Sequence, residues 1–387
     1  MRLGDCGKTN LHTYSDKEKW SLIRYLDTGS ITEGRIDEIQ TLYPGVDKIP
    51  SRARRKASVG DILFSTVRPN QKHYGIIEAG TENLLVSTGF TVVTVDTTIA
   101  DPYFIYYYLT QSSVIESLQA IAEQSTSTYP SIKPSDIEDI KLDLPELETQ
   151  KKIGSTLRML DRKIALNEEI NDNLYAQAKA IFDNHFINID AIPAGWRKGN
   201  LLDIANYLNG LAMQKFRPQG HEIGLPVLKI KELRQGSCDD SSELCSLSIK
   251  PEYIIHNGDV VFSWSGSLLV DIWCGGTCGL NQHLFKVTSD VYDKWFYYLW
   301  TAHHLARFIA IAADKATTMG HIKREELAKA EVLIPCEEDY TSFNSIMQPI
   351  FELIISNRIE SRKLAALRDE LLPKLMTGEI DVSDVQL

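Results

Sequence analysis

"SIKPSDIEDIKLDLPELETQKKIGSTLRMLDRKIALNEEI", Ser131 to Ile170, passes from a polar turn through a short strand into a long helix. The same passage returns as "HIKREELAKAEVLIPCEEDYTSFNSIMQPIFELIISNRIE", His321 to Glu360. A shift of 190 residues carries Ile105 to Phe182 onto Trp295 to Leu372 without a gap, placing Tyr107-Tyr108-Leu109 on Tyr297-Tyr298-Leu299 and Ile164 on Ile354. Upstream the shift becomes 198, and Gly60-Asp61 falls on Gly258-Asp259, Leu3 on Leu201 and Asp5 on Asp203. A period this long does not describe a solenoid of small units; it describes two copies of one module, each a globular domain followed by a helix.

The helical stretches carry a seam. Ile153, Leu157, Leu160, Ile164, Asn167, Asn171, Leu174, Ala178 and Ile181 recur at alternating steps of four and three, as do Phe343, Met347, Ile350, Ile354, Asn357, Ser361, Leu364, Arg368 and Leu371. Such stripes pack helix on helix, and a polar residue inside one costs stability while setting register. Asn167 and Asn357 hold equivalent seam positions, so the two helices are expected to pair antiparallel with these residues close together. The competing arrangement packs each helix on its own domain. Helices of about 36 to 40 residues are rods of roughly 55 to 60 Å.

Ahead of each rod lie mixed signals. "DILFSTV" (Asp61 to Val67) and "DVVFSWS" (Asp259 to Ser265) read as a turn into a strand, "FTVVTV" (Phe90 to Val95) and "HLFKV" (His283 to Val287) as further strands, and the stretches beginning at Pro102 and Lys294 as amphipathic helix. The expected fold class is α/β (α+β): tandem modules at 1–145 and 189–336, with an antiparallel coiled coil formed by helices within 146–188 and 337–380.

At 387 residues, 43% hydrophobic and 24% charged, the chain has the composition of a multidomain globular protein. No apolar run is long enough to span a bilayer and the first residues hold no apolar signal core, so the cytoplasm is the expected compartment. The six cysteines include no CxxC pair. Cys274, Cys278 and His283 can be drawn as metal ligands only without a fourth partner, and buried or incidental thiols is the other reading.

The net charge of -11 argues against indiscriminate polyanion binding. Its distribution matters more. Between residues 48 and 72 stand Lys48, Arg52, Arg54, Arg55, Lys56, Arg68 and Lys72 against the single acid Asp61. A focused patch of this kind holds phosphate while the rest of the surface repels it. Arginine suits guanine, and asparagine or glutamine suits adenine, in the major groove. A solvated loop is the other reading of the patch; were the partner DNA, the candidate contacts in the first module would be Arg52, Arg54, Arg55, Lys56, Arg68, Asn70, Gln71, Lys72 and Tyr74. In the second they are Gln214, Lys215, Arg217, Lys229, Lys231, Arg234, Gln282 and His283. The loops "EQSTSTYPSIK" (Glu123 to Lys133) and "DKATTMGHIK" (Asp314 to Lys323) add hydroxyls and lysine, including Thr317 and Thr318, fitted to phosphate. Each loop reads equally as a plain turn.

The duplication, "GDILFST", "GDVVFSW", "STYPSIKPSDIEDIKLDLPELETQKKI", "TTMGHIKREELAKAEVLIP" and the final "RDELLPKLMTGEI" together resemble the specificity subunit of type I restriction-modification systems. The resemblance implies that each module reads one half of a split DNA sequence. It implies that the paired helices measure the gap and dock two methyltransferase subunits, with restriction subunits joining through the complex. S-adenosylmethionine, ATP and Mg would then belong to the partners, and this chain needs no cofactor of its own. The residues agree with a noncatalytic part. "DPYF" (Asp101 to Phe104) lacks the second proline of an adenine-methyltransferase motif and reads as a helix start, and no GxxxxGK[ST] loop is present. A two-module protein-protein adaptor that binds no DNA is the alternative.

Overall fold

The computed structural model describes residues 1–125, 129–314 and 322–382. Two compact units form: Met1–Arg162 with the chain from Ala365 on, and Lys163–Leu364. Each unit contains one globular module and parts of both long helices.

The first module opens on α1 (Leu3–Cys6) and continues through β1 (Gly7–Thr9), β2 (Ile23–Leu26), β3 (Gln40–Leu42), β4 (Ala53–Lys56), β5 (Ile62–Ser65), β6 (Tyr74–Ile76), β7 (Leu84–Ser87) and β8 (Phe90–Val95). Helices α2 (Pro102–Leu109), α3 (Ser112–Glu123) and α4 (Pro134–Glu138) lead to α5 (Leu147–Phe182). One sheet has the order β1-β8-β5-β6, antiparallel throughout; the other runs β3-β2-β7-β4, with β2 and β7 parallel.

The second module comprises β9 (Arg197–Asn200), α6 (Leu201–Ile204), β10 (Asn206–Asn209), β11 (Leu225–Leu228), α7 (Ile230–Gln235), β12 (Leu244–Cys245), β13 (Ile254–Ile255), β14 (Val260–Ser263), β15 (Leu269–Ile272), β16 (Cys278–Leu280) and β17 (Leu284–Thr288). It ends with α8 (Lys294–Asp314), α9 (Arg324–Ala328) and β18 (Glu331–Ile334), before α10 (Glu337–Met376). Its sheets run β10-β17-β14-β15 and β12-β11-β16-β13, again with one parallel pair, β11 with β16. Strand order and strand direction are thus the same in both copies. The β9–β18 ladder, which includes Asn200 opposite Glu331, is reduced in the first module to the single bridge Arg2 to Lys141.

Local chemistry explains why the copies fold alike. Gly60 and Gly258 both hold φ +88, a left-handed geometry that glycine adopts without steric cost. The following aspartates lock the turn: Asp61 accepts from the Ser58 N–H at 2.7 Å and Asp259 from the His256 N–H at 2.8 Å. β5 and β14, buried at every residue, then enter the cores with Ile62, Phe64, Val260 and Phe262. The helix expected from Pro102 is broken in the first copy at Thr110 and Gln111, whereas α8 is continuous. The polar run Thr110 to Ser113 bonds locally, Thr110 Oγ1 donating to the Tyr107 carbonyl and Gln111 Nε2 to that of Tyr108.

In the first unit, Ile153 and Leu157 of α5 lie in the module's core with Phe104, Ile105 and Tyr107, and Leu375 and Val382 join the same cluster. In the second unit, Ala178, Phe182, Met347 and Phe351 share a core with Phe262, Trp295 and Phe296. The seam positions Leu160, Ile164, Leu174, Ile350 and Leu364 are half-buried, and Ile354 is buried. Asn167 Nδ2 donates to Glu360 Oε2 at 2.8 Å and lies 3.5 Å from the Asn357 carbonyl, while Asn357 Nδ2 donates to Asn171 Oδ1 at 3.0 Å. No described helix is long and apolar enough to cross a membrane.

Candidate nucleic-acid interface

In the first module the basic residues occupy two places. Arg54, Arg55 and Lys56 lie on β4, an edge strand, with exposed Arg52 in the turn before it. β4 borders a cleft of about 450 Å³ lined by Tyr14, Lys19, Trp20, Pro44, Ile49 and Arg54, among others. Tyr14 packs on Trp20 with ring centroids 4.7 Å apart. Lys56 Nζ lies 5.1 Å from the Trp20 ring and 2.5 Å from Glu18 Oε2. Arg55 is half-buried, its Nε has no partner, and burial pulls its guanidinium below the usual arginine range. Its side chain is therefore less available than the charge count implies.

The second place is the turn after β5. Arg68 (φ 49) and Lys72 (φ 56) both take the left-handed conformation around a short 3-10 turn, Pro69–Gln71. Two strained non-glycine residues within five hold Arg68, Asn70 and Gln71 out in solvent. The turn is tied to a second predicted segment by the bridge of Val67 to Ser131, and Arg68 sits over the Tyr129 ring at 5.4 Å. The fold thus joins "RPNQKHY" to "YPSIK" (Tyr129 to Lys133), which are distant in sequence. Lys72 pairs with Glu33 at 2.5 Å.

Tyr74 is a correction. It is only 6% exposed, stacked 5.8 Å from Phe64 and edge-on to Tyr106, and burial raises its phenol well above its ordinary value. Alternation along β6 turns its ring into the core, so it offers no surface to DNA.

In the second module the predicted cations are largely engaged. Arg217 and Lys229 share the Glu243 carboxylate, and Lys231 reaches Asp239 and Ser241. Gln214 and Lys215 are exposed on a short 3-10 turn, and Arg234 is exposed in the last turn of α7. Gln282 and His283 stand beside Trp264 and Ser265, which follow β14 as Thr66 and Val67 follow β5. His283 Nδ1 lies 3.0 Å from Ser265 Oγ, and Trp264 Nε1 donates to Asn209 Oδ1 at 2.9 Å. Ile322 N–H donates to the Trp264 carbonyl, as Ile132 N–H does to that of Thr66. The equivalent turns are therefore anchored the same way. Thr317 and Thr318 lie outside the described residues.

Sequence reasoning missed Trp20, Tyr129 and Trp264, the aromatic members of these surfaces. Each stands near a cation or histidine only through long-range pairing, and no local pattern marks it. Asp101, by contrast, behaves as a helix start: its Oδ1 accepts from the Phe104 N–H at 2.9 Å. Cys274 and Cys278 are buried thiols, and among the described residues no three His, Cys, Asp or Glu side chains are placed to share a cation.

The comparisons with known proteins agree with this duplicated geometry. Residues 53–176 match the model of the type I restriction modification DNA specificity domain. The specificity subunit of the type I restriction enzyme HindI of Haemophilus influenzae is 21% identical, with 98% of each chain covered. The MjaIX specificity subunit of Methanocaldococcus jannaschii is 26% identical over 84% of this chain and 79% of its own. The crystal structure of a type I restriction-modification S subunit from M. genitalium superposes with a TM-score of 0.56 at 14% identity, covering 97% of this chain and 95% of that one, and shows the same fold. Residues 53–176 thus match the type I restriction modification DNA specificity domain, and the chain carrying them is similar, over nearly its whole length, to the specificity subunit of the type I restriction enzyme HindI.

Proposed function

We propose that this chain is the DNA-reading subunit of a type I restriction-modification enzyme, with each module contacting one half of a bipartite target. The observation that carries this reading is the doubled module: one strand order made twice, each copy with a polar turn after its central strand. Two copies of one reader fit a target of two half-sites. In the first module Arg52, Arg54 and Arg68 are the residues we assign to phosphate and base contact; in the second, Gln214, Lys215, Arg234 and the Gln282-His283 pair. The ion-paired Lys56, Lys72, Arg217, Lys229 and Lys231 sit in weak surface pairs that a phosphate is able to displace.

α5 and α10 act, in this reading, as an antiparallel coiled coil whose length sets the gap between half-sites. A 36-residue helix is about 54 Å long, on the order of 16 base pairs. Exposed Met159 and Leu166 on α5, and Ile346, Leu353 and Leu367 on α10, provide apolar surface for two methyltransferase subunits. Methylation, with its S-adenosylmethionine, and any ATP- and Mg-dependent cleavage would reside on partner subunits. The chain itself is noncatalytic and works in the cytoplasm.

The test is DNA affinity of the assembled enzyme. Arg54→Ala with Arg55→Ala should weaken binding several-fold at moderate salt and flatten the dependence of log K on log salt. Unchanged affinity and slope would remove β4 from the interface. Mapping modified adenines in a host carrying the protein should give a split motif.

A further inference from the structure

The two long helices are repeats of each other, so their seams differ only where the shift of 190 pairs unlike residues. Asn167 and Asn357 correspond and are alike. Asp161 of α5 corresponds to Phe351, and Arg368 of α10 to Ala178. In the first unit Arg368 Nη1 donates to Asp161 Oδ1 at 2.7 Å, with side chains only 25% and 32% exposed. Tyr107 Oη donates to the same carboxylate at 2.6 Å, and Arg368 also reaches Asp369. In the second unit the corresponding residues Ala178 and Phe351 are buried in an apolar core. One repeat-related layer is ionic and the other is apolar.

That asymmetry bears on assembly. A helix able to pair with its own repeat is also able to pair with a second copy of itself. In the register of the observed contacts, two α5 helices would set Asp161 against Ala178 of the other copy. Two α10 helices would set Arg368 against Phe351. The same holds for Lys163 and Glu360, 3.2 Å apart here, which would face Ile170 and Leu353. The asparagines would meet in every arrangement, so they set register without distinguishing like from unlike. Asp161 would keep Tyr107 and Arg368 would keep Asp369, but each would lose its cross-helix counter-charge at a half-buried place, which is unfavourable. The hazard is real during synthesis, because α5 is complete while the 154 residues between Phe182 and Glu337 are still to be made.

We infer that the Asp161–Arg368 layer directs pairing, admitting an α5–α10 seam and rejecting α5–α5 and α10–α10 seams between two copies of this chain. The inference rests on the antiparallel pairing proposed above, and its test separates the two. Isotopically light and heavy full-length chains are mixed in denaturant, refolded together and treated with an amine-reactive cross-linker. The wild type should give intrachain Lys163–Lys363 links and essentially no mixed-isotope Lys163–Lys179 links. If the Lys163–Lys363 link is missing, the pairing itself fails. Asp161→Phe with Arg368→Ala makes the ionic layer match the apolar one. Because it also removes the acceptor of the buried Tyr107 hydroxyl, the melting temperature should hold or fall slightly, while mixed-isotope Lys163–Lys179 links should increase at least tenfold. Links at the wild-type level in this variant would overturn the inference. Should the variant fail to fold, chains carrying Asp161→Arg and Arg368→Asp are refolded separately and together. Only the mixture should yield a 1:1 heterodimer by native mass spectrometry, and two unassociated species would equally overturn the inference.

Discussion

At Gly154 a missing side chain decides how a helix seats on its module. A Cβ there would stand 2.5 Å from Asp101 Oδ1 and 3.0 Å from the Phe104 nitrogen, the N-terminal cap of α2. Alanine is the better helix former by about 1 kcal/mol, but overpacking a fixed cap costs about 1–3 kcal/mol. Gly154→Ala should therefore lower stability by about 1–2 kcal/mol in urea titration, the reverse of the propensity expectation. The equivalent residue in the second copy, Asn344, accepts from Trp295 Nε1 at 2.7 Å, so the two copies solve one packing problem differently. Arg68 allows stability and binding to be separated. Arg68→Gly relieves a left-handed conformation and removes a cation, so the melting temperature should hold or rise. DNA affinity should fall, with the salt slope shallower by about one. A loss of both together would mean that the Tyr129 contact is structural only.

At the scale of elements, α8 carries a pH dependence. His304 Nε2 lies 2.8 Å from the Glu331 carbonyl on β18, and burial lowers its pKa below 6.5. The unfolded chain therefore takes up this proton at a higher pH than the folded one. Stability from this residue is whole above pH 6.5 and declines as pH falls through and below that value. Melting curves between pH 7.5 and 5 should show the second unit weakening, and His304→Gln should flatten that trend. α10 is fixed to β15 by Arg358, whose guanidinium binds both Asp271 oxygens at 2.8–2.9 Å and the Ile272 carbonyl. The side chains are 36% and 23% exposed, so solvent screens part of this interaction. Arg358→Met should cost about 1–2 kcal/mol, measured by thermal unfolding.

At the scale of the whole molecule, the compact units do not coincide with the intervals 1–145 and 189–336 read from sequence. Leu375 and Val382, near the chain's end, belong to the core that holds Leu3 and Phe104. Ending the chain after Leu364 should therefore strip amide-exchange protection from β5 and β8 while leaving β14 and β17 protected. Equal loss in both modules would contradict the division into units. It follows that the first module, although synthesised first, gains its full core only when the last helix arrives.

The sequence by itself determined the duplication, the spans of the core strands and the helix seams, because each is written in periodicities and turn chemistry within a few residues of one another. α5 and α10 begin 190 residues apart, as the repeat requires, and Gly60 and Gly258 take the same backbone angle. Only the tertiary structure decided which cations face solvent. Lys56 finds Glu18, Lys72 finds Glu33, Arg217 and Lys229 converge on Glu243, and Tyr74 turns inward. Pairings of this kind join strands and loops far apart in the chain, and local charge counts carry no information about them. The same long-range packing brought Arg68 onto Tyr129 and set Asp161 against Arg368.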